Sequence, residues 1–260
     1  MKNNLFLKIF VAISYVLMIA VNALANILPI NGNNTGVVSN AYPNLFAPAA
    51  VTFSIWGLIY ALLAAYTLYQ FGLFQKDKGK SKAKLFKEIG TYFSITSVAN
   101  ILWIFSWHYR LIGLSVLLML VILFYLIKIA DLLKKQKFSL KDTFFIKAPF
   151  SIYFGWITVA TIANVTTFLV SLTWNGFGLS DQLWMIIILF VGAAIGIART
   201  IKDKNIFYGS VLIWAYLGIL IKHTSINEFN SEYPMIIGTV GVCLASFLVV
   251  NGLILFKKNK

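Results

Sequence analysis

The groups in this sequence that could do chemistry are neutral ones, indoles, amides and hydroxyls set at helical spacing inside apolar runs. Phe93, Ser97, Asn100, Trp103 and Trp107 follow one another at intervals of three and four residues, so they share one face of a helix. Trp156, Ala160, Asn164, Thr167 and Ser171 form a second such face, and Trp56, Tyr60, Ala64 and Thr67 a third. Each stripe pairs large rings with small or polar groups. A buried indole N–H needs an acceptor, and an amide can donate or accept without bearing charge. Asn and Ser between membrane helices often only bond a neighbouring helix, at about 0.6 kcal/mol on average, and Trp collects at membrane interfaces. Trp107, Trp174 and Trp184 fit that plainer pattern. Trp56, Trp103 and Trp156 also fit an apolar pocket with a few convergent polar groups, the usual form of a small-molecule site.

Charged chemistry is confined to the ends of the runs. The eight acids, Asp77, Glu88, Asp131, Asp142, Asp181, Asp203, Glu228 and Glu232, all lie in connections or at run ends. No carboxylate, Lys or Arg lies deep in an apolar run, which argues against an ion-coupled pump, since coupling needs a group that changes charge at mid-membrane. The histidines, His108 and His223, sit at run ends and read as interfacial hydrogen-bonding residues. No metal site is expected, and the single cysteine, Cys243, excludes an intramolecular disulfide. The sequence contains no P-loop, G-x-G-x-x-G or G-x-S-x-G motif.

The elements that must position these stripes are eight long apolar runs, about 5–28, 49–74, 89–107, 110–128, 148–172, 182–199, 205–221 and 234–256. The chain of 260 residues is 60% hydrophobic and 12% charged, and a bilayer span takes about 20 apolar residues, so eight spans use most of it. All but Arg110 and Lys222 of the 22 basic residues fall at the two termini or in the second, fourth and sixth connections. Loop Lys/Arg bias sets topology, so both termini are expected in the cytoplasm, with the protein multi-pass in the plasma membrane. The net charge of +14 follows this topology and reads as contact with anionic membrane lipid, with no nucleic-acid partner. Ala23-Leu24-Ala25 resembles a signal-peptidase site, but the apolar run continues to about Ile30 and reads as a retained span.

Three spaced motifs carry a family resemblance. In the stretch Asn44 to Tyr60, Pro48 is followed by Trp56 eight residues on and Tyr60 four further. Asn100-Ile101-Leu102-Trp103 gives N-x-x-W, and Trp156, Ala160 and Asn164 follow at intervals of four. In that order they resemble the second, third and fifth helices of the translocator/tryptophan-rich sensory protein (TspO/MBR) family. The resemblance covers about residues 1–172. Where the family has an aromatic four residues before the helix-two Trp, this chain has Thr52, with Phe53 beside it. The family proline two before that Trp is Ser54. In place of a proline four before the helix-five Trp stands Ile152, with Pro149 three residues earlier.

The resemblance implies an all-α integral membrane protein, with a TspO-like five-helix domain over 1–172 and three additional transmembrane helices over 173–260. It implies an apolar small-molecule ligand, tetrapyrrole- or sterol-like, held by Pro48, Trp56, Tyr60, Asn100, Trp103, Trp156, Ala160 and Asn164. The function expected is a tryptophan-rich sensor, regulator or carrier that requires no cofactor, with a tetrapyrrole as a candidate bound ligand. A porphyrin-degrading enzyme and a secondary transporter of a neutral solute are the alternatives, and no residue is assigned a catalytic role. The uncharged segment 29–48 reads as a lid or a passive loop. Gly192 and Gly196 form a G-x-x-x-G that permits close helix packing, within the chain or in a homodimer.

Overall fold

The computed structural model describes residues 2–73 and 82–258. Lys76, Asp77, Lys78, Lys80 and Lys260, used in the charge pattern, lie outside them. The helices are α1 (Lys2–Ile27), α2 (Thr35–Asn40), α3 (Ile55–Tyr69), α4 (Ala83–His108), α5 (Ile112–Lys134), α6 (Leu140–Asp142), α7 (Ala148–Ser171), α8 (Asp181–Asp203), α9 (Ile206–Thr224) and α10 (Pro234–Lys258). A 3-10 turn, Ala50–Ser54, leads into α3, and a π turn, Thr143–Lys147, joins α6 to α7. Among the described residues there is no strand, only an isolated bridge between Ile30 and Asn33. Eight of these stretches are long and apolar enough to cross a bilayer, and they coincide with the eight apolar runs. Helices suit that setting because they satisfy their backbone polar groups internally. Their outer faces carry exposed apolar side chains, such as Leu117, Val242 and Phe6, as a lipid-facing surface requires.

The helix ends run beyond the apolar runs. α4 begins six residues before its run, and α5 continues to Lys134, because charged residues at a span's end extend the helix without entering hydrocarbon. Asp203, read from sequence as lying beyond a span end, closes the last turn of α8. The π turn precedes Pro149, which has no N–H and whose ring crowds the carbonyl four residues back. A wider turn at that point avoids the conflict.

The chain forms two compact units, Met1–Ala41 with Gly57–Phe154, and Tyr42–Trp56 with Gly155–Lys260. In the first unit, α4 packs against α1 and α5, with Gly90 facing Val11 of α1. Its core is aromatic. Tyr66 stands edge-on to Phe93 and Phe150, at ring separations of 5.9 and 4.6 Å. At one end, Asp142 accepts hydrogen bonds from Tyr69 Oη (2.9 Å), Ser139 Oγ (2.8 Å) and Lys82 Nζ (2.6 Å). At the other, Asn34 caps α2 by accepting from the Val37 amide, and α2 is fastened to the end of α4. Trp107 Nε1 donates to the Thr35 carbonyl at 3.2 Å, and Asn31 Nδ2 to the His108 carbonyl at 3.1 Å. His108 Nδ1 donates to the Ile104 carbonyl at 2.8 Å.

In the second unit, α10 packs against α9 and α8. Ser180 caps α8 by accepting from the Leu183 amide, and Lys204 ends that helix in the left-handed region, a common way to stop a helix. The glycines of the G-x-x-x-G face partners within this unit, Gly192 the hydroxyl of Tyr216 and Gly196 the side chain of Leu212. Arg199 Nε donates to Asp203 Oδ2 at 2.6 Å, with both side chains largely buried.

Candidate functional site

Local chemistry starts the signature segment of the second unit. Asn44 Oδ1 accepts from the amides of Phe46 (3.1 Å) and Ala47 (2.9 Å), a turn typical of Asn. That turn delivers the buried Pro48 to the start of the 3-10 turn. The turn is then seated on α9. The Ala49 amide donates to the Gly218 carbonyl at 3.0 Å, Trp214 Nε1 donates to the Thr52 carbonyl at 2.9 Å, and His223 Nε2 donates to the Leu45 carbonyl at 3.0 Å. Gly218 is required at its position, because a Cβ there would overlap the Thr52 side chain.

This seating presents three rings to one another. Phe53 stands edge-on to Trp156 at 5.6 Å and 85°, and Trp56 stands edge-on to the same ring at 6.2 Å and 81°. Phe53, in the 3-10 turn, and Trp56, in the first turn of α3, stand at i and i+3, a spacing that puts side chains on one side of a helix, so both reach the same indole. Trp156 is only 2% exposed. Among the described residues its buried Nε1 has no hydrogen-bond partner, nor has Thr52 Oγ1. Buried indole N–H groups usually find an acceptor, so the cluster holds an unused donor on the ring that Phe53 and Trp56 both contact. Ala160 and Asn164 continue the same face of α7, Ala160 half-buried and Asn164 buried and engaged in a contact of its own.

Of the eight residues expected to form a pocket, Pro48, Trp56, Trp156, Ala160 and Asn164 fall in the second unit, while Tyr60, Asn100 and Trp103 fall in the first. In the first unit, Asn100 is 1% exposed and its Oδ1 accepts from Asn22 Nδ2 at 2.6 Å. Trp103 stacks on Trp107 at 5.5 Å. The Tyr60 carbonyl accepts from Tyr15 Oη at 2.9 Å. Among the described residues no group of three or more His, Cys, Asp or Glu could hold a metal ion.

A family model described as TSPO-like protein matches residues 8–254. The chain belongs to the TSPO-like protein family. The match runs past residue 172 and through all eight spans. No curated protein and no solved structure matches the chain.

Several residues of this TSPO-like chain that shape the cluster were not picked out as site residues from the sequence. Phe53 drew notice only as the neighbour of Thr52, yet the 3-10 turn hands it the aromatic contact and leaves Thr52 to face Gly218. Trp214 and Gly218 lie far along the chain, and nothing local in the sequence marks their partner. Asn22 could have been found as an amide in an apolar run, but not its pairing with Asn100.

Proposed function

We propose that this protein binds a flat, apolar small molecule within the bilayer, using the ring cluster Phe53, Trp56 and Trp156, and acts as a sensor, regulator or carrier of that ligand. The observation that carries this reading is the buried, unpartnered Nε1 of Trp156, on the ring that Phe53 and Trp56 both contact. A planar ligand offering an oxygen acceptor, seated against Phe53 and Trp56, would satisfy the donor. Pro48 and the Asn44 turn would set the height of the cluster, Ala160 would leave room on α7, and Asn164 would supply a neutral amide. Membership of the TSPO-like family and the apolar character of the spans support a ligand that partitions from the bilayer. The tetrapyrrole is the ligand to test first. The distribution of Lys and Arg supports an orientation with both termini in the cytoplasm, and the plasma membrane is the location we propose.

The test is a titration of the detergent-solubilised protein with protoporphyrin IX, read by tryptophan quenching and the Soret band. Saturable quenching is expected. Trp156→Ala should weaken binding by about 1 kcal/mol or more, in line with the ~0.5–1.5 kcal/mol of aromatic pairs beyond area burial. Unchanged affinity in a folded Trp156→Ala variant would remove the cluster from the site.

A further inference from the structure

A groove of about 330 Å³ opens on the first unit and is lined from α1, α4 and α5. Phe10 contributes from α1, Ser94, Val98 and Leu102 from α4, and Leu118 and Val121 from α5. Ser94, Val98 and Leu102 are spaced by four and form one stripe of α4. They lie off the buried face that carries Phe93, Ser97 and Asn100, and Val98 and Leu102 are exposed.

Ser94 is the one polar residue in the lining. It is 3% exposed, and among the described residues its Oγ has no hydrogen-bond partner. Neighbouring hydroxyls on the same helix behave differently. Thr96 Oγ1 and Ser97 Oγ both donate to the Phe93 carbonyl, at 2.8 and 2.9 Å, the usual resort of Ser and Thr in a helix. A buried polar atom without a partner is costly, and a guest in the groove that reached Ser94 would supply one. Ser94 lies four residues before the midpoint of the apolar run 89–107 of α4, so at about 1.5 Å rise per residue it sits about 6 Å from the middle of the span, in hydrocarbon.

The size of the groove restricts its occupant. A stable protein interface takes roughly 20–30 residues a side, far more than line this groove, so it does not by itself seat a second copy. Small-molecule sites begin at about 300 Å³. An unsubstituted acyl chain would fill the space yet leave Ser94 unpaired. We propose that the groove binds a neutral lipophile bearing one hydroxyl or carbonyl oxygen at mid-bilayer depth, with Ser94 Oγ as its polar partner. This site shares no residue with the ring cluster and does not depend on it.

The test is photolabelling of the full-length protein in liposomes with a diazirine-bearing long-chain ketone, its carbonyl at mid-chain, against the matching diazirine alkane. Labelled peptides are mapped by mass spectrometry. The ketone should label the segments around Phe10 and Leu118–Val121 saturably, and the alkane only in proportion to its concentration. Ser94→Ala should weaken ketone labelling by about three- to tenfold, the loss of one hydrogen bond, and leave alkane labelling unchanged, while Ser94→Thr should retain it. Val98→Trp, which fills the groove, should abolish saturable labelling by the ketone. Equal labelling of the unsubstituted protein by ketone and alkane would overturn the proposal and assign the groove to ordinary acyl chains. Cross-links between two copies at these residues would overturn it in favour of a protein interface.

Discussion

Trp214 on α9 donates its indole N–H to the carbonyl oxygen of Thr52 at 2.9 Å, tying a residue of the seventh span to the turn that opens the second. One turn further along α9, Gly218 lies against the same threonine. The segment that carries Phe53 and Trp56 is therefore held in place by a helix more than 160 residues away in sequence.

Gly218→Ala tests that seating directly. The added methyl has no room beside the Thr52 side chain, so the turn must shift or the helix must retreat. Overpacking of this kind typically costs about 1–3 kcal/mol. A lowered melting temperature in detergent is expected, with partial recovery in the double variant Gly218→Ala, Thr52→Ala. No change in the single variant would show that the turn is not seated as described.

Trp214→Phe keeps most of the ring and removes the donor, leaving the Thr52 carbonyl one bond short. The loss expected is about 1 kcal/mol. If the ring cluster binds protoporphyrin IX, the variant should weaken that binding as well, because Phe53 and Trp56 move with the turn. Stability and affinity measured side by side would reveal whether the two effects travel together.

Asn22 and Asn100 offer a double-mutant cycle inside the first unit. Each is changed to Ala alone and then both together. Interhelical hydrogen bonds in membranes average about 0.6 kcal/mol, and a coupling energy near that value is expected. A coupling of zero would mean that the 2.6 Å contact between them contributes nothing to stability.

Asp142→Asn removes the charge that Lys82 faces and keeps one of the two acceptor oxygens, enough for Tyr69 or Ser139 but not for both. Lys82 is partly exposed, with 31% of its side-chain surface accessible, so screening limits the effect to about 1 kcal/mol or less. The gap between wild-type and variant melting temperatures should narrow as salt is raised. A gap independent of salt would assign the role of Asp142 to its hydrogen bonds.

The eight spans were legible because each is a long apolar run, and membrane helices leave little choice of structure. The stripes were legible too. Phe93, Ser97, Asn100 and Trp107 are all buried on one side of α4. Partners were not legible. Periodicity places Asn100 on an inward face but cannot name Asn22, and it cannot foresee that Trp103 would stack on Trp107. The exchange between Thr52 and Phe53 escaped because the family pattern places the aromatic four residues before Trp56, whereas Ala50–Ser54 is a 3-10 turn with three residues per turn. The histidines were read as interfacial hydrogen-bonding residues. Each does bond a backbone carbonyl, but both are fully buried.

The bond from His223 to Leu45 spans 178 residues, and that from Trp214 to Thr52 spans 162. Translation at about 5–20 residues per second separates each pair by roughly ten to thirty seconds. During that interval the carbonyls of Leu45 and Thr52 have emerged and their donors have not been made. A nascent chain halted after its fifth span would carry Phe53, Trp56 and Trp156 without the helix that orients the turn. If the ring cluster is the binding site, competence to bind would therefore arise late in biogenesis, when the seventh span leaves the ribosome and enters the membrane.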